Sequence, residues 1–354
     1  MEKFSRSFAD CNGNRRSVVW WRIRGTRPGP VLSIVAGQHG MEHVGPGLLP
    51  EFAGEMERQP FAGELRLVCN ANPFALLMDY EFYPENEDLS KINDYYYSIF
   101  RHNYCPWGLG RDQAHSLYNM NRLWNRSEII GVAGEITAWL WKEVILPADL
   151  VLDLHGHQYP PLIYSGAGTD FQLASFPGIR ALVMSEPVPD DWNVGTLNYQ
   201  AKRVGIKAMC LEFSVQHARG EFEFETGRQF LRNIMIGCRM LPGKIRHDHP
   251  VWRIPYNPEE DQRGVLSAER TGRLRFFKQN WDEVRQGELI FTIRDVETGE
   301  VVQEGRAGRD GVVGFQTHKV IVHEGDFCTY VPIPELLVPA GMTVEKYAPG
   351  WWKK

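Results

Sequence analysis

Short apolar segments that indicate strands alternate with segments of helical spacing up to about residue 250. The strand-like runs occupy residues 17–25, 31–36, 64–70, 148–156, 179–185 and 206–214. Apolar residues at helical spacing lie between and after them, at 44–57, 128–145, 196–204 and 224–240. Such alternation is typical of an α/β domain whose sheet is covered on both faces. The order predicts a mixed, mostly parallel sheet flanked by helices.

The sequence changes character near Pro250. From about residue 270 it contains short strand-like segments separated by Gly and charged turns, among them GRLRFF, GELIFTIRDVETGE, GVVGFQ and KVIVHEGDFCTYVPI. Short strand-like segments between turns, with no apolar residues at helical spacing, are typical of a small antiparallel β domain. We therefore predict two domains, residues 1–250 and 251–354, joined by the linker HDHPVWRIPYNP.

Composition and charge exclude several classes of protein. The chain has 354 residues, 43% of them hydrophobic, and its net charge of −5 without a Lys/Arg cluster argues against nucleic acid as a partner. The sequence has no secretory signal and no apolar run of membrane-spanning length. Its six cysteines are scattered, without a C-x-x-C pair. We expect a soluble, reduced, cytoplasmic protein without a membrane partner; a homo-oligomer stays open.

Three potential metal ligands follow the carboxyl ends of predicted strands. His39 and Glu42 lie in the turn after the strand at 31–36, and His155 ends the strand at 148–156. Open α/β sheets bind ligands at this edge. A catalytic zinc ion typically takes three His or carboxylate ligands and keeps one position for water. These residues predict one Zn²⁺ site, where the metal would activate water and polarise a carbonyl.

A hydrolase of this kind also needs a general base, which later returns a proton to the leaving amine. Glu212 has the right chemistry and lies near the end of the strand at 206–214. Asp153, two residues before His155, is a candidate to orient that ligand from behind. Each residue alone is better explained by a surface turn or a salt bridge. Their common place at strand ends favours a metal site.

The segment HGMEH (39–43) also matches H-x-x-E-H, a pattern in which two histidines bind zinc from one face of a helix. Gly37 and Gly40 flank His39, and GPG follows at 45–47. Glycines at these positions favour a turn over a helix interior. We therefore expect that His43 is not a ligand.

Motifs along the chain resemble those of the succinylglutamate desuccinylase/aspartoacylase family, a branch of the zinc carboxypeptidase-like fold. GQHGMEHVG is similar to its G-x-H-G-x-E signature, and DLHG to the segment of its third ligand. NANPFALL, NMNRLWN and CLEFSVQHARG resemble, in the family's order, its Asn-Pro-x-Ala turn, its Asp-x-Asn-Arg segment and the stretch with its catalytic glutamate. GELIFTIRD, GRDGVVGF and VHEGDFCTYVPI resemble the β domain appended in this group. The resemblance spans nearly the whole chain.

The resemblance implies a zinc-dependent amide hydrolase. His39, Glu42 and His155 would hold one Zn²⁺, and Glu212 would be the general acid/base. The substrate would be an N-acyl amino acid or a related small amide. Two alternative functions are consistent with the same fold. One is a metallocarboxypeptidase that acts on peptide C-termini, and the other is a binding protein that has lost turnover.

Asn121 and Arg122 would, by the same resemblance, bind the carboxylate of the amino-acid half of the substrate. A guanidinium group suits this role because it pairs with a carboxylate through two hydrogen bonds. A second segment, EDLSKIN (87–93), resembles the same motif but has Ser and Lys at these two positions. We prefer Asn121 and Arg122 because both residue types are intact there, although Asn119 replaces the family's Asp.

The chain departs from the family pattern at one further position. The family's usual Arg, nine residues after the Asn of the Asn-Pro turn, corresponds to Glu81. In the family that arginine helps to polarise the scissile carbonyl, and Arg101, Arg111 and Arg122 are candidates to replace it. The insertion at about 79–118 is rich in aromatic residues. It is equally consistent with a lid that sets substrate choice and with a segment packed on the surface.

Overall fold

The computed structural model describes residues 1–78, 119–157, 160–166, 169–185, 195–214, 221–256 and 261–353. The strands, in chain order, are β1 Glu2–Ala9, β2 Arg15–Arg24, β3 Arg27–Val35, β4 Ala62–Val68, β5 Leu150–His157, β6 Leu162–Ser165, β7 Ala181–Ser185, β8 Lys207–Ser214, β9 Ile245–Arg246, β10 Val251–Tyr256, β11 Val265–Ser267, β12 Gly272–Phe276, β13 Glu283–Val284, β14 Leu289–Arg294, β15 Val301–Arg306, β16 Gly311–Val312, β17 Ile321–Val322, β18 Phe327–Tyr330, β19 Glu335–Val338 and β20 Thr343–Val344. The α-helices are α1 Val44–Glu57, α2 Pro73–Met78, α3 Gly131–Leu140, α4 Phe171–Ser175, α5 Leu197–Arg203 and α6 Glu221–Gly237. Met120–Arg122 and Gln262–Gly264 form 3₁₀ turns, and a π-helical turn at Trp141–Ile145 continues α3.

A ten-stranded mixed sheet forms the centre of the molecule, in the order β1-β2-β4-β3-β5-β8-β6-β7-β10-β19. Strands β4, β3, β5 and β8 are parallel neighbours. Strands β6, β7 and β10 form a second parallel group, which runs antiparallel to β8. Antiparallel strands complete both edges. The predicted α/β fold with a mixed, mostly parallel sheet is confirmed.

Helices cover both faces of the sheet, because its central strands bury side chains on each side. Phe52 of α1 and Ile234 of α6 share one apolar cluster with Leu152 of β5. Val151, the preceding residue, points to the opposite cluster, which contains Ile136 of α3 and residues of α5. This alternation along β5 is the period of a strand buried on both faces. No helix among the described residues is long and apolar enough to cross a membrane.

The predicted strands and helices recur with small shifts at their ends, but β1, β6, β10 and β19 of the main sheet were not predicted, and β10 occupies the segment predicted as a linker. β1 lies at the edge of the sheet and exposes most of its side chains, so its sequence has little apolar pattern. β6 has only four residues. Cys69 and Cys210 are buried free thiols.

The region after residue 260 consists of small antiparallel sheets, as predicted. The largest has four strands, in the order β15-β14-β12-β17, around an apolar cluster that includes Leu274 and Phe291. Two strands from beyond residue 250, β10 and β19, instead join the main sheet, and β20 pairs with β9. Trp252 and Trp281 share a further cluster, which joins the two regions. The division into domains 1–250 and 251–354 stays a prediction.

Candidate metal centre

Three neighbouring parallel strands end at the candidate site. β3 lies beside β5 with Val35 opposite Asp153, and β5 lies beside β8 with His155 opposite Glu212. The chain leaves β3 through a turn in which Gly37 has a φ of +69°, a left-handed conformation that favours glycine. The turn carries His39 and Glu42 back over the ends of these strands. The predicted residues therefore meet at the carboxyl edge of the sheet.

His39, Glu42 and His155 converge on one point. Nδ1 of His39 lies 2.8 Å from Oε1 of Glu42, and Nδ1 of His155 lies 3.0 Å from Oε2 of the same carboxylate. The potential ligand atoms of the three buried residues all lie within 4.8 Å of one another. Two imidazole nitrogens and one carboxylate form the donor set of many catalytic zinc sites. The residues therefore fit a zinc ion held through both Nδ1 atoms and Glu42.

The turn with His39 and Glu42 precedes a helix and is not part of one. Helix α1 begins at Val44, and His43 is its N-cap residue. His39 and His43 therefore do not share a helix face, so the H-x-x-E-H helix is excluded. His43 is also absent from the metal-ligand groups found among the described residues. Both observations agree with the turn that the glycines predicted.

Asn119 lies behind His39. Its Oδ1 is 2.9 Å from His39 Nε2 and accepts the backbone N–H of Asn121 at 2.9 Å. Because a backbone N–H can only donate, it fixes which end of the Asn119 amide carries the oxygen. His39 Nε2 then carries the proton and donates to Asn119. Nδ1 then faces Glu42, and it would bind a metal there once its own proton is released.

Asp153 lies behind His155 in a similar way. Its Oδ1 is 2.9 Å from His155 Nε2, and both side chains lie on the same face of β5 because they are two residues apart. Gln38 Nε2 donates to the same Oδ1, and Trp124 Nε1 donates to Gln38 Oε1 at 2.6 Å. These contacts agree with the orienting role predicted for Asp153. The sequence did not reveal that Gln38 and Trp124 belong to the site.

Opposite charges hold the cluster together. Burial alone would raise the pKa of Glu42, but the charges of His39 and His155 and their hydrogen bonds outweigh it and lower that pKa to about 2. Burial alone would lower the pKa of His155, but the carboxylates of Asp153 and Glu42 raise it well above its usual value. Glu42 is therefore an ionised acceptor between two imidazoles. Metal binding at both Nδ1 atoms would displace their protons, so it is coupled to proton release.

Glu212 lies on β8 beside this cluster. Its side chain is buried, and burial raises its pKa to about 8. The carboxylates of Glu42 and Asp153 also raise this pKa, while His155 and His39 oppose the increase. Cys210, two residues earlier, places its Sγ 3.9 Å from Oε1 of Glu212. A carboxyl group with a pKa near neutrality can both take and give a proton at physiological pH.

The 3₁₀ turn at Met120–Arg122 places the side chain of Asn121 against the cluster. Asn121 Nδ2 lies 3.0 Å from His155 Nε2, and Asn121 Oδ1 accepts the backbone N–H of Leu197 at 2.9 Å. Arg122 is buried, and its Nη1 donates to the carbonyl oxygen of Asn121 at 2.7 Å. The structure thus brings Asn121 to the metal centre, and Arg122 is the next residue in the chain. Their predicted binding of a substrate carboxylate stays a prediction.

Other residues of the sequence hypothesis lie outside the described residues. These are the insertion at 79–118 with Glu81, Arg101 and Arg111, and the competing segment EDLSKIN at 87–93 within it. The replacement of the family's arginine therefore stays a prediction. Of the two segments similar to Asp-x-Asn-Arg, the described one, at 119–122, contacts two potential zinc ligands.

Comparison with known sequences gives no relative: no family model matches the chain, and no curated protein matches it. Solved structures do match over nearly the whole length. A succinylglutamate desuccinylase from a Silicibacter species has a TM-score of 0.66 at 17% identity, and the match covers 94% of this chain and 93% of that one. The product-bound ectoine utilization protein EutE (DoeB) from Ruegeria pomeroyi has a TM-score of 0.64 at 17% identity, with coverage of 94% and 95%.

A succinylglutamate desuccinylase/aspartoacylase from Rhodobacter sphaeroides is similar to the same extent, with a TM-score of 0.65, 16% identity and coverage of 94% and 95%. The match includes the main sheet and the small C-terminal sheets, because almost all of each chain is covered. Similarity at such low identity establishes a shared architecture. The chain therefore has the fold of the succinylglutamate desuccinylase/aspartoacylase proteins, as its motifs predicted.

Proposed function

We propose that the chain is a zinc-dependent amide hydrolase that removes the acyl group from an N-acyl amino acid or a related small amide. One arrangement carries this proposal: the cluster of His39, Glu42 and His155 lies beside Glu212, which comes from the neighbouring strand. The fold supports it, because the similar structures include a succinylglutamate desuccinylase and an ectoine utilization protein.

His39, Glu42 and His155 would hold one ion per chain. When bound, zinc supplies a Lewis acid that polarises the scissile carbonyl and acidifies a water molecule. The other metal-ligand group among the described residues, Asp153, His155 and Cys210, shares His155 with the first. Burial also raises the pKa of Cys210 well above its usual value, which disfavours a thiolate ligand there. The geometry therefore favours one zinc site over two.

Glu212 would move the protons of the reaction. Its ionised form takes a proton from the attacking water, and its acid form gives a proton to the nitrogen of the leaving amine. The C–O bond forms when water adds to the carbonyl carbon, and the C–N bond breaks once the nitrogen is protonated, so one amide and one water give one carboxylate and one amine. With a pKa of about 8, Glu212 populates both its protonated and its ionised form near neutral pH.

Arg122 would bind the carboxylate of the amino-acid half of the substrate, and Asn121 would hold the segment in place. The contacts of Asn121 with His155 and with the backbone of Leu197 support this, because they fix the segment relative to the metal centre. A guanidinium in this segment would favour substrates with a free carboxylate over neutral amides, because it pairs with a carboxylate through two hydrogen bonds.

A hydrolysis screen of the zinc-loaded protein tests the proposal. We expect turnover of at least one N-acyl amino acid, with release of a free amine. Release of C-terminal residues from peptides, without turnover of acyl amino acids, would indicate a metallocarboxypeptidase instead. Turnover of neither class would indicate a binding protein with this fold.

The variant Glu212→Gln separates the chemical role of the residue from metal binding. We expect it to lower kcat by at least about 100-fold, because a general acid/base typically contributes this much or more. Its zinc content should equal that of the wild type, since Glu212 is not among the proposed ligands. Glu283→Gln, at an exposed position of β13, is the matched control and should keep full activity.

A further inference from the structure

We propose that Gln38 and Trp124 are positioning residues of the metal centre: the indole of Trp124 orients the amide of Gln38, and this amide holds Asp153. Asp153 in turn determines which nitrogen His155 offers to a metal. This role depends on the zinc centre of the proposed function. It adds two residues that neither ligate the metal nor touch the substrate.

The first step is the contact between Trp124 and Gln38. Trp124 is fully buried in the apolar cluster on one face of the sheet, so its indole ring has one position. Its Nε1–H lies 2.6 Å from Oε1 of Gln38. An indole nitrogen can donate but not accept, so this contact turns the oxygen of the amide toward Trp124 and its nitrogen away.

The second step is the fixed backbone of Gln38. The carbonyl oxygen of Gln38 accepts from Asn72 Nδ2 at 3.3 Å, and the N–H of Asn72 donates to the carbonyl of Gly37 at 2.8 Å. Asn72 also accepts the N–H of Ala75 at the start of α2, at 3.2 Å. The turn is thus tied to a helix end. From this position the amide nitrogen of Gln38 reaches Asp153.

The third step is the carboxylate of Asp153, which is completely buried. Its contacts among the described residues are the amide nitrogens of Gln38 and Asn121 and the imidazole of His155. Because this carboxylate is buried, the loss of one amide donor leaves its charge less well satisfied. Gln38 therefore helps to keep Oδ1 where it accepts the Nε2–H of His155, which leaves Nδ1 on the side of Glu42.

Each histidine ligand is thus oriented by a chain of hydrogen bonds that begins at a fixed N–H donor. For His39 the fixed donor is the backbone N–H of Asn121, which acts through Asn119. For His155 it is the side chain of Trp124, which acts through Gln38 and Asp153. The donor that begins the first chain is a backbone N–H, which no side-chain substitution removes. The donor that begins the second chain is a side chain, so its role can be tested directly by substitution.

Zinc affinity of the full-length, metal-free protein is measured by competition with a chelator, for Gln38→Met, Trp124→Phe and the double variant. Methionine keeps the length of the side chain, and phenylalanine keeps the ring without its N–H. We expect each single variant to bind zinc about 10-fold more weakly or worse, as is typical when a partner behind a ligand is lost. The double variant should be no weaker than Gln38→Met, because Trp124 acts through Gln38.

The visible spectrum of the Co²⁺-loaded protein provides a second readout, because it reports the ligand field and not the fold. It should change in both single variants. Trp141→Phe, which removes another buried indole of the same apolar cluster, should leave affinity and spectrum unchanged.

The inference is overturned if both single variants keep wild-type zinc affinity, even if their metal-free forms melt at lower temperature. It is also overturned if the two losses add in the double variant. Absence of zinc binding by the wild type would remove the metal centre and the inference together. A wild type that binds zinc but hydrolyses no acyl amino acid would contradict only the proposed function, because the readout here does not depend on turnover.

Discussion

At the scale of single residues, the candidate site consists of ligands whose orientation is set by residues distant in sequence. His39 and Glu42 could be predicted because H-x-x-E after a buried strand is a local pattern. Asp153 could also be predicted, because it lies two residues before His155. The other partners could not, because Asn119 lies 80 residues from His39, and Trp124 lies 86 residues from Gln38. Nothing in the local sequence of an Asn or a Gln shows which imidazole it will face.

The role of Asn119 predicts opposite results for two substitutions. Asn119→Leu removes the acceptor behind His39, so we expect zinc to bind about 10- to 100-fold more weakly. Asn119→Asp keeps an acceptor oxygen and places the family's residue type there, so zinc affinity should be retained or increased. Chelator competition measures both. Equal losses in the two variants would show that the acceptor is not what matters.

The raised pKa of Glu212 predicts a pH-dependent stability of the metal-free protein. The carboxyl group has an ordinary pKa of 4.5 and a folded-state pKa of about 8, so the folded chain holds the proton over this range and loses stability as the pH rises through it. Glu212→Gln cannot ionise. We expect equal stabilities near pH 4 and an advantage of roughly 3–5 kcal/mol for the variant above pH 8. Denaturant unfolding at several pH values measures this, and a difference independent of pH would contradict it.

At the scale of elements, the turn before α5 holds the segment that contains Asn121, Arg122 and Trp124. Gly195 has a φ of +94°, and its carbonyl accepts the N–H of Trp124 at 3.0 Å. A Cβ at this glycine would lie 2.0 Å from the carbonyl oxygen of Arg122. The two backbones can approach this closely only because the residue has no side chain.

Two glycine substitutions distinguish backbone crowding from strain of the dihedral angle. Gly205, just after α5, also has a positive φ, +80°, but no atom lies within 4 Å of an added Cβ. We expect Gly205→Ala to cost about 1–2 kcal/mol through φ alone. Gly195→Ala should cost at least about 3 kcal/mol and weaken zinc binding, because the segment must move. Equal costs, measured by denaturant unfolding, would argue against close packing at Gly195.

The elements that the sequence predicted are those with a strong apolar pattern. β5 and β8 are continuous apolar runs because both of their faces are buried, and their ends placed His155 and Glu212 correctly at one edge of the sheet. β1 was missed because an edge strand needs no such pattern. The π-helical turn at Trp141–Ile145, which continues α3, was also missed, because five residues are too few to show a spacing different from that of an α-helix.

At the scale of the whole molecule, the C-terminal tail returns to the main sheet after the small β sheets. Tyr347 is buried against Phe176, and its hydroxyl donates to Asp170 Oδ2 at 2.6 Å. Lys207 of β8 forms an ion pair with the same carboxylate. The backbone N–H of Tyr347 donates to the carbonyl of Gly237 at 3.0 Å. Residues near the end of the chain therefore stabilise the region that carries Glu212.

Removal of one hydroxyl tests this connection. Burial alone would raise the pKa of Asp170, but hydrogen bonds from Lys207 and Tyr347 outweigh it and lower the pKa below the ordinary value of 3.8. Their stabilisation is therefore present above about pH 4 and lost as the pH falls through the lowered folded-state pKa. We expect Tyr347→Phe to cost about 1–2 kcal/mol at pH 7 and less below pH 4. Tyr199→Phe is the control, and an equal loss at both pH values would contradict the assignment.

Calorimetric titration of zinc into the metal-free protein tests the central claim most directly, because every other role depends on the metal centre. We predict one ion per chain for the wild type, for Glu212→Gln and for His43→Ala, whose residue lies in the same turn but outside the ligand set. Glu42→Ala and His155→Ala should lose this site. Absence of zinc binding by the wild type, or unchanged binding by Glu42→Ala, would contradict the account.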